Sequence, residues 1–298
     1  MGIDPNSVGA TAGPDTRSWD DRDTMLYAIG VGAGLDELAF TTENSHDLPQ
    51  RVLPTYGVIA TAGFGALAKV GEINWGRVVH GSQSVRLHRP LAPAGELSVT
   101  TEIVEIQDKG EGKNAIIRVA ATGVDPATGE TVVETGSTIV VRGGGGFGGE
   151  PGASRVPVEY PDREPDLSRA EATREDQALT YRLSGDRNPL HSDPWFATEL
   201  AGFPKPILHG LCTYGFVGRA LLHGLCGSDP ARFSSMSARF SAPVFPGETL
   251  TTSAWRTGDG TAVFRAEASG PGGQDRRVVL DDGVLEYTAR PAPSPSGQ

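Results

Sequence analysis

An aspartate, an asparagine and a histidine fall within six positions in SGDRNPLHSDPWF, Ser184 to Phe196, between a glycine and two prolines. A carboxylate and an imidazole held over one point can polarise a water and exchange its protons with a substrate. Such general acid–base work contributes about 10²–10⁴-fold in rate. The local pattern favours convergence. Asn188–Pro189 reads as an N-cap followed by the first residue of a helical turn, and Asp193–Pro194 repeats the pair before WFATELAG closes at Gly202. His191 then sits on a tight turn, and Gly185 permits the bend that carries Asp186 towards it. For an isolated Asp/His pair, the competing reading is a hydrogen-bonded turn with no chemistry.

The surrounding residues go further. Tyr181, Ser184, Gly185, Asp186, Asn188, Pro189, Leu190 and His191 fill every fixed position of an aromatic-x-(x)-aliphatic-Ser-Gly-Asp-x-Asn-Pro-aliphatic-His pattern, followed by PKPILHGL. In this the chain resembles the MaoC-like (R)-specific enoyl-CoA hydratases, hydratase 2. DRDTMLYAIGVGAG, GGFGG and ARFSAPVFPGETL extend the likeness over essentially the whole chain. The resemblance implies an α+β double hot-dog fold, in which each of two repeats is a long helix wrapped by an antiparallel sheet. It also implies reversible syn addition of water to a trans-2-enoyl-CoA, giving a (3R)-3-hydroxyacyl-CoA with a medium, long or bulky acyl group.

Asp186 and His191 would hold the water. Gly210, in ILHGL, is where the family places the backbone N–H that receives the thioester oxygen. A helix N-terminus, with unpaired N–H groups and a positive dipole end, suits that task. Close helix–sheet packing would equally call for a glycine there. Asn188 is either a cap alone or a cap that also bonds within the site. Lys205, Arg239 and Arg187 are candidates for the coenzyme phosphates, His209 is expected to be a partly buried structural histidine, and His46, His80 and His88 solvated or structural. Aligning Tyr27 with Tyr181 puts Gly32 at the Asp186 position and Glu37 at the His191 position, so the first half lacks the pair. By resemblance that half holds the acyl tail, and Glu37→Gln is expected to be close to neutral.

These residues need elements to carry them. LPTYGVIATAGFGALAKVG (Leu53 to Gly71) and KPILHGLCTYGFVGRALLHG (Lys205 to Gly224) read as buried helices, with Pro54 and Pro206 lying 152 residues apart. Glycine inside a helix costs about 1 kcal/mol relative to alanine, so its repeated use predicts a close approach to the helix. At nearly the same offset SVRLHRPLAPAGELSVTTEI parallels SARFSAPVFPGETLTTSAWR, both strand–turn–strand in pattern. Each half thus reads as loop and helix, one long helix, then antiparallel strands: a sheet around a helix, made twice. The expected division is a degenerate repeat at 1–142, a Gly/Pro-rich linker at 143–170, a catalytic repeat at 171–290 and a disordered tail at 291–298. A phosphate cradle in the linker glycines is the weaker reading, since no GK[ST] follows.

Composition sets the outer limits. A chain of 298 residues, 38% apolar, can bury substantial cores, and a net charge of −11 argues against nucleic acid as a partner. No run of about 18 apolar residues and no signal sequence occur, so a cytoplasmic protein without membrane contact is expected. Asn6 and the closing SGQ speak against myristoylation and a peroxisomal address. Two cysteines, Cys212 and Cys226, predict neither disulfides nor a metal site, and no cofactor is expected. The partner is an acyl-CoA or acyl-carrier-protein thioester, with room for a homodimer of pseudo-dimeric chains. The alternatives are a (3R)-hydroxyacyl-carrier-protein dehydratase and, less favoured, a non-catalytic acyl-binding subunit. Hot-dog thioesterases lack the Asp-x-Asn-Pro-x-His turn.

Overall fold

A computed structural model describes residues 2–63 and 65–289; the tail expected at 291–298 lies outside them. Ten strands form one sheet. They are β1 (Thr11–Trp19), β2 (Val78–Leu87), β3 (Gly95–Asp108), β4 (Ala115–Val124), β5 (Thr131–Val141), β6 (Leu167–Ala172), β7 (Phe233–Phe240), β8 (Thr249–Gly258), β9 (Thr261–Ser269) and β10 (Arg277–Tyr287). The helices are α1 (Asp21–Gly30), α2 (Leu38–Thr41), α3 (Gly57–Ala60), α4 (Gln177–Tyr181) and α5 (Gly210–Leu225).

The strand order is β1-β3-β4-β5-β2-β7-β10-β9-β8-β6, so the second five strands repeat the first five in reverse. β2 and β7 meet antiparallel at the centre, with Ser84 opposite Ser237. These are the opening residues of the two parallel sequence segments, so each half is joined to its own copy. α1 and α4 also meet there, with the rings of Tyr27 and Tyr181 6.1 Å apart.

The second long helix forms as α5, starting later than its sequence segment, because Lys205–His209 runs in as an extended lead. The first does not form. After a 3-10 turn at Pro54–Tyr56 and the four residues of α3, Thr61 Oγ1 bonds back to Gly57 O at 2.8 Å, and the next helical turn begins only at Ala66. Gly63 and Gly65 weaken the intervening stretch, and Ala66 N bonds to Thr101 Oγ1 on β3 at 3.2 Å. Two further differences concern strands. β1 was not foreseen, and β6 begins inside the segment read as linker.

The glycine-rich segment does cradle an anion, but it is the protein's own. The Asp108 carboxylate accepts N–H bonds from Gly110, Gly146 and Gly148 at 2.7–2.8 Å and from Gly149 at 3.3 Å. The Gly146 amide, with those of Gly110, Gly148 and Gly149 after it, brings this carboxyl down to about 2 against a smaller opposing effect of burial.

Glycines on α5 are needed for close approach. A Cβ at Gly215 would lie 2.4 Å from Val31 Cγ1 and 2.9 Å from the Tyr27 hydroxyl, and one at Gly218 would lie 2.4 Å from Thr55 Cγ2. All three neighbours belong to the first half. Gly215→Ala gains about 1 kcal/mol of helix propensity but overpacks a full interface at a cost of about 1–3 kcal/mol. Its unfolding midpoint in denaturant should therefore fall; an unchanged or raised midpoint would show that the two halves do not press on α5 at this point.

Candidate active site

The turn forms as its residues dictate. Gly185 has φ 124°, a conformation that favours glycine, and the chain reverses behind it. Asn188 caps the 3-10 turn Pro189–His191, its Oδ1 accepting from Leu190 N at 3.0 Å. Asp186 Oδ1 accepts from Asn188 N at 3.1 Å. The side chain of Asn188 is therefore engaged as a cap.

Asp186, His191 and His209 come together, each offering a carboxylate oxygen or ring nitrogen within 4.8 Å of the others. Asp186, Arg187 and Asn188 are exposed, whereas His191 is 9% and His209 1% exposed. His191 Nδ1 meets Ile207 O at 2.9 Å, and His209 Nε2 meets Asp186 O at 3.1 Å. Since a carbonyl only accepts, both of these nitrogens carry protons. His191 Nε2 and His209 Nδ1 are left to accept, and the latter is buried without a partner. In kind, these donors would also suit a divalent cation. Their spacing suits a water bonded to both the carboxylate and an imidazole.

Gly210 is the first residue of α5, so its N–H has no acceptor within the helix. A Cβ there would lie 3.1 Å from the ring of Phe240, so packing demands the glycine as well. The phosphate candidates part company. Arg239 is taken up by Asp281 and Asp282 at 3.0 and 3.1 Å. Lys205 lies over the Phe245 ring at 5.6 Å, and Arg187 is exposed with no ion pair among the described residues.

His209 lies deeper than the partial burial expected, and His80 has a ring nitrogen buried and not solvated. His209 is fully buried and stacks on His191, with ring centroids 3.8 Å apart. His80, on β2 of the first half, lies 4.8 Å from the ring of Phe240, its Nε2 buried without a partner. No local signal marks His80; only the β2–β7 pairing brings it beside the site. His46 and His88 make exposed contacts with Asp47 and Glu134, as expected.

Glu37, the counterpart of His191, is no idle surface group. It pairs with the buried Arg219 and with His223 at 2.8 Å, and Arg219 also holds Glu171 at 2.6 Å. Burial opposes ionisation here, but His223 and Arg219 outweigh it and keep the Glu37 carboxyl below its usual range. Cys212 and Cys226 are buried free thiols.

The pattern for "MaoC like domain" matches residues 157–270, and that for "MFE-2 hydratase 2 N-terminal domain" matches residues 18–143. The chain is 62% identical to 3-hydroxyacyl-thioester dehydratase Y of Mycobacterium tuberculosis, over 97% of this chain and 100% of that protein. It is 41% identical to enoyl-CoA hydratase ChsH3 of the same organism, over 85% and 88% of the two chains. The crystal structure of a MaoC-like dehydratase from Phytophthora capsici superposes with a TM-score of 0.84 at 33% identity, covering 96% of this chain and 98% of that one. The chain belongs to the MaoC-like hydratase 2 family, with its double hot-dog fold. It is a hydro-lyase, of the class that adds water to a carbon–carbon double bond or removes it. Among the described residues no helix is long and apolar enough to cross a membrane.

The geometry generates two predictions. Burial lowers the pKa of His191, brings that of His80 to about 4, and, with the neighbouring His191 as a second cause, brings that of His209 to about 4. An unfolded imidazole titrates near pH 6.5, so between about 6.5 and 4 the unfolded chain binds protons that the folded chain refuses. Stability should therefore decline as the pH falls through that window, and in its upper part, above about pH 5, this decline precedes carboxylate protonation. Thermal midpoints that stay level over its upper part would contradict the burial of these rings.

For Glu37→Gln, the near-neutral expectation is replaced. Breaking a buried ion pair by removing one partner costs about 3–5 kcal/mol, and Glu171 still neutralises Arg219, so a loss at or below about 3 kcal/mol is expected, with turnover per folded molecule unchanged. A denaturant midpoint equal to that of the unaltered protein would show that the cluster contributes no stability.

Proposed function

We propose that the chain is an (R)-specific enoyl-CoA hydratase, interconverting trans-2-enoyl-CoA and (3R)-3-hydroxyacyl-CoA with medium, long or bulky acyl groups. The observation that carries this reading is the convergence of Asp186 and His191 on His209, the residue that immediately precedes Gly210 at the start of α5. A water bonded to the Asp186 carboxylate and to His191 Nε2 loses one proton as its oxygen joins C3. A proton from the same pair reaches C2, and the Gly210 N–H steadies the thioester oxygen while charge builds on it. Run backwards, the same groups remove water. Oxygen and hydrogen arrive from one face, so addition is syn.

Asn188 holds the turn between the two reacting side chains. Lys205 and Arg187 are the exposed cations offered to the coenzyme phosphates, and Arg239 is set aside because its carboxylate partners already neutralise it. Residues 1–142 form the acyl-tail repeat and 171–290 the catalytic one. The missing acid–base pair in the first half supports this division, as does the broken helix around the buried Ala60. The setting is cytoplasmic. The relative named for 3-hydroxyacyl thioesters keeps a carrier-protein dehydratase in view as the second reading.

One assay addresses both. Loss of enoyl-thioester absorbance is followed across chain lengths on coenzyme A and on carrier protein, with chiral analysis of the product and deuterium placement at C2 in heavy water. Faster turnover on coenzyme A with a 3R, syn product is expected, and a preference for carrier protein would select the second reading. Asp186→Asn and His191→Gln should each lose at least about 10²-fold in rate with little change in thermal midpoint. Either variant retaining more than about a tenth of the rate would remove the role assigned to that residue.

A further inference from the structure

The two stacked imidazoles bind crosswise. His191, on the turn, reaches Ile207 O in the lead into α5 at 2.9 Å, and His209, the last residue of that lead, reaches back to Asp186 O at 3.1 Å. Between these bonds the rings lie face to face, 3.8 Å apart at 27°. The turn has little else to hold it in register: Asp186, Arg187 and Asn188 are exposed, and the bond on the Asp186 carboxylate comes from Asn188 N within the turn itself.

Stability alone does not account for a histidine at 209. The ring is 1% exposed, lies 4.9 Å from the ring of Tyr181, and has its Nδ1 buried without a partner. An unsatisfied buried polar atom costs about 1–3 kcal/mol, which a phenyl ring in the same slot would avoid. What the imidazole adds is an N–H aimed at the main chain of Asp186, from the residue that immediately precedes Gly210.

We propose that His209 is a positioning residue: by stacking on His191 and bonding the Asp186 carbonyl, it sets where the acid–base pair stands relative to the Gly210 amide. This rests on the roles given above to Asp186, His191 and Gly210. Misplacement of reacting groups by about 1 Å can cost about 10²-fold in rate, so the effect falls on turnover and not on substrate affinity.

The test is a pair of variants and a cycle. His209→Phe keeps a ring and removes the N–H; His209→Gln restores an amide donor. In H209F, kcat should fall about 10–100-fold with KM changed little and the fold retained, while H209Q should recover part of the loss. Combined with Asp186→Asn, H209F should cost far less than it does alone, because His209 acts through a group already disabled. The proposal is overturned if H209F keeps kcat within about twofold, or if the two losses multiply in the double variant. Should H209F not fold, the kcat-against-KM split of H209Q and its own cycle with D186N decide on the same terms. Full activity of D186N would instead bring down the acid–base reading, whereas an inactive D186N beside a fully active H209F removes the role of His209 alone.

Discussion

Both halves of the chain close on one helix, and there is room for that only because α5 presents bare backbone where they meet. Val31 and Tyr27 press on Gly215 and Thr55 on Gly218, all from the first half, while Met236 on β7 accepts the Tyr214 hydroxyl at 2.7 Å from the second. Having broken its own helix after Ala60, the first half packs its turn at Thr55 and the end of α1 against the helix of the second. The middle of α5 is therefore held by contacts from both halves of the chain, and its N-terminus follows. Everything tied to it inherits that rigidity: the lead at Ile207–His209, the catalytic turn bonded to the lead, and the Gly210 amide.

The repeats diverged at one equivalent place, with opposite electrostatic results. In the second, the turn keeps its carboxylate exposed beside a largely buried imidazole. In the first, Glu37, the counterpart of His191, sinks beside Arg219 and His223. A buried ion pair adds little net stability compared with apolar packing, but it tolerates only one arrangement of its partners. Arg219 sits on α5 and bridges Glu37 of the first half to Glu171 on β6. That cluster is a bolt between the halves.

The sequence made the Asp186–His191 turn readable because capping is local chemistry. Asn-Pro starts a turn wherever it stands, and a glycine before Asp186 is a sufficient instruction to bend. The duplication was readable as well, through strand patterns repeated at one offset. Two things were hidden because they depend on pairing at a distance. His80 lies near the start of β2, next to the strand's one glycine, Gly81, and carries no mark of its own; the seam with β7 places it beside Phe240. His209 was read as structural because burial and function look alike in an apolar string, and the difference lies in the direction of its N–H. The first long helix failed for a third reason. Its small-residue pattern was correct, but a hydroxyl at Thr61 and two glycines gave the backbone an alternative to continuing the helix.

In the proposed reaction, His191 must be neutral before water adds and cationic for a moment afterwards, and its surroundings serve both states. Burial lowers its pKa, while the bond to Ile207 O and the charge on Asp186 pull the other way. The first effect holds the ring neutral and the carbonyl fixes its tautomer, leaving Nε2 as the base. The Asp186 charge then matters most when the proton arrives, because it lies beside the cation as it forms. His209 supports this by remaining neutral itself: a second cation stacked at 3.8 Å would oppose the one the chemistry has to create. A single stack of two imidazoles, one held neutral by burial and one poised by an adjacent carboxylate, thereby separates the group that positions from the group that reacts.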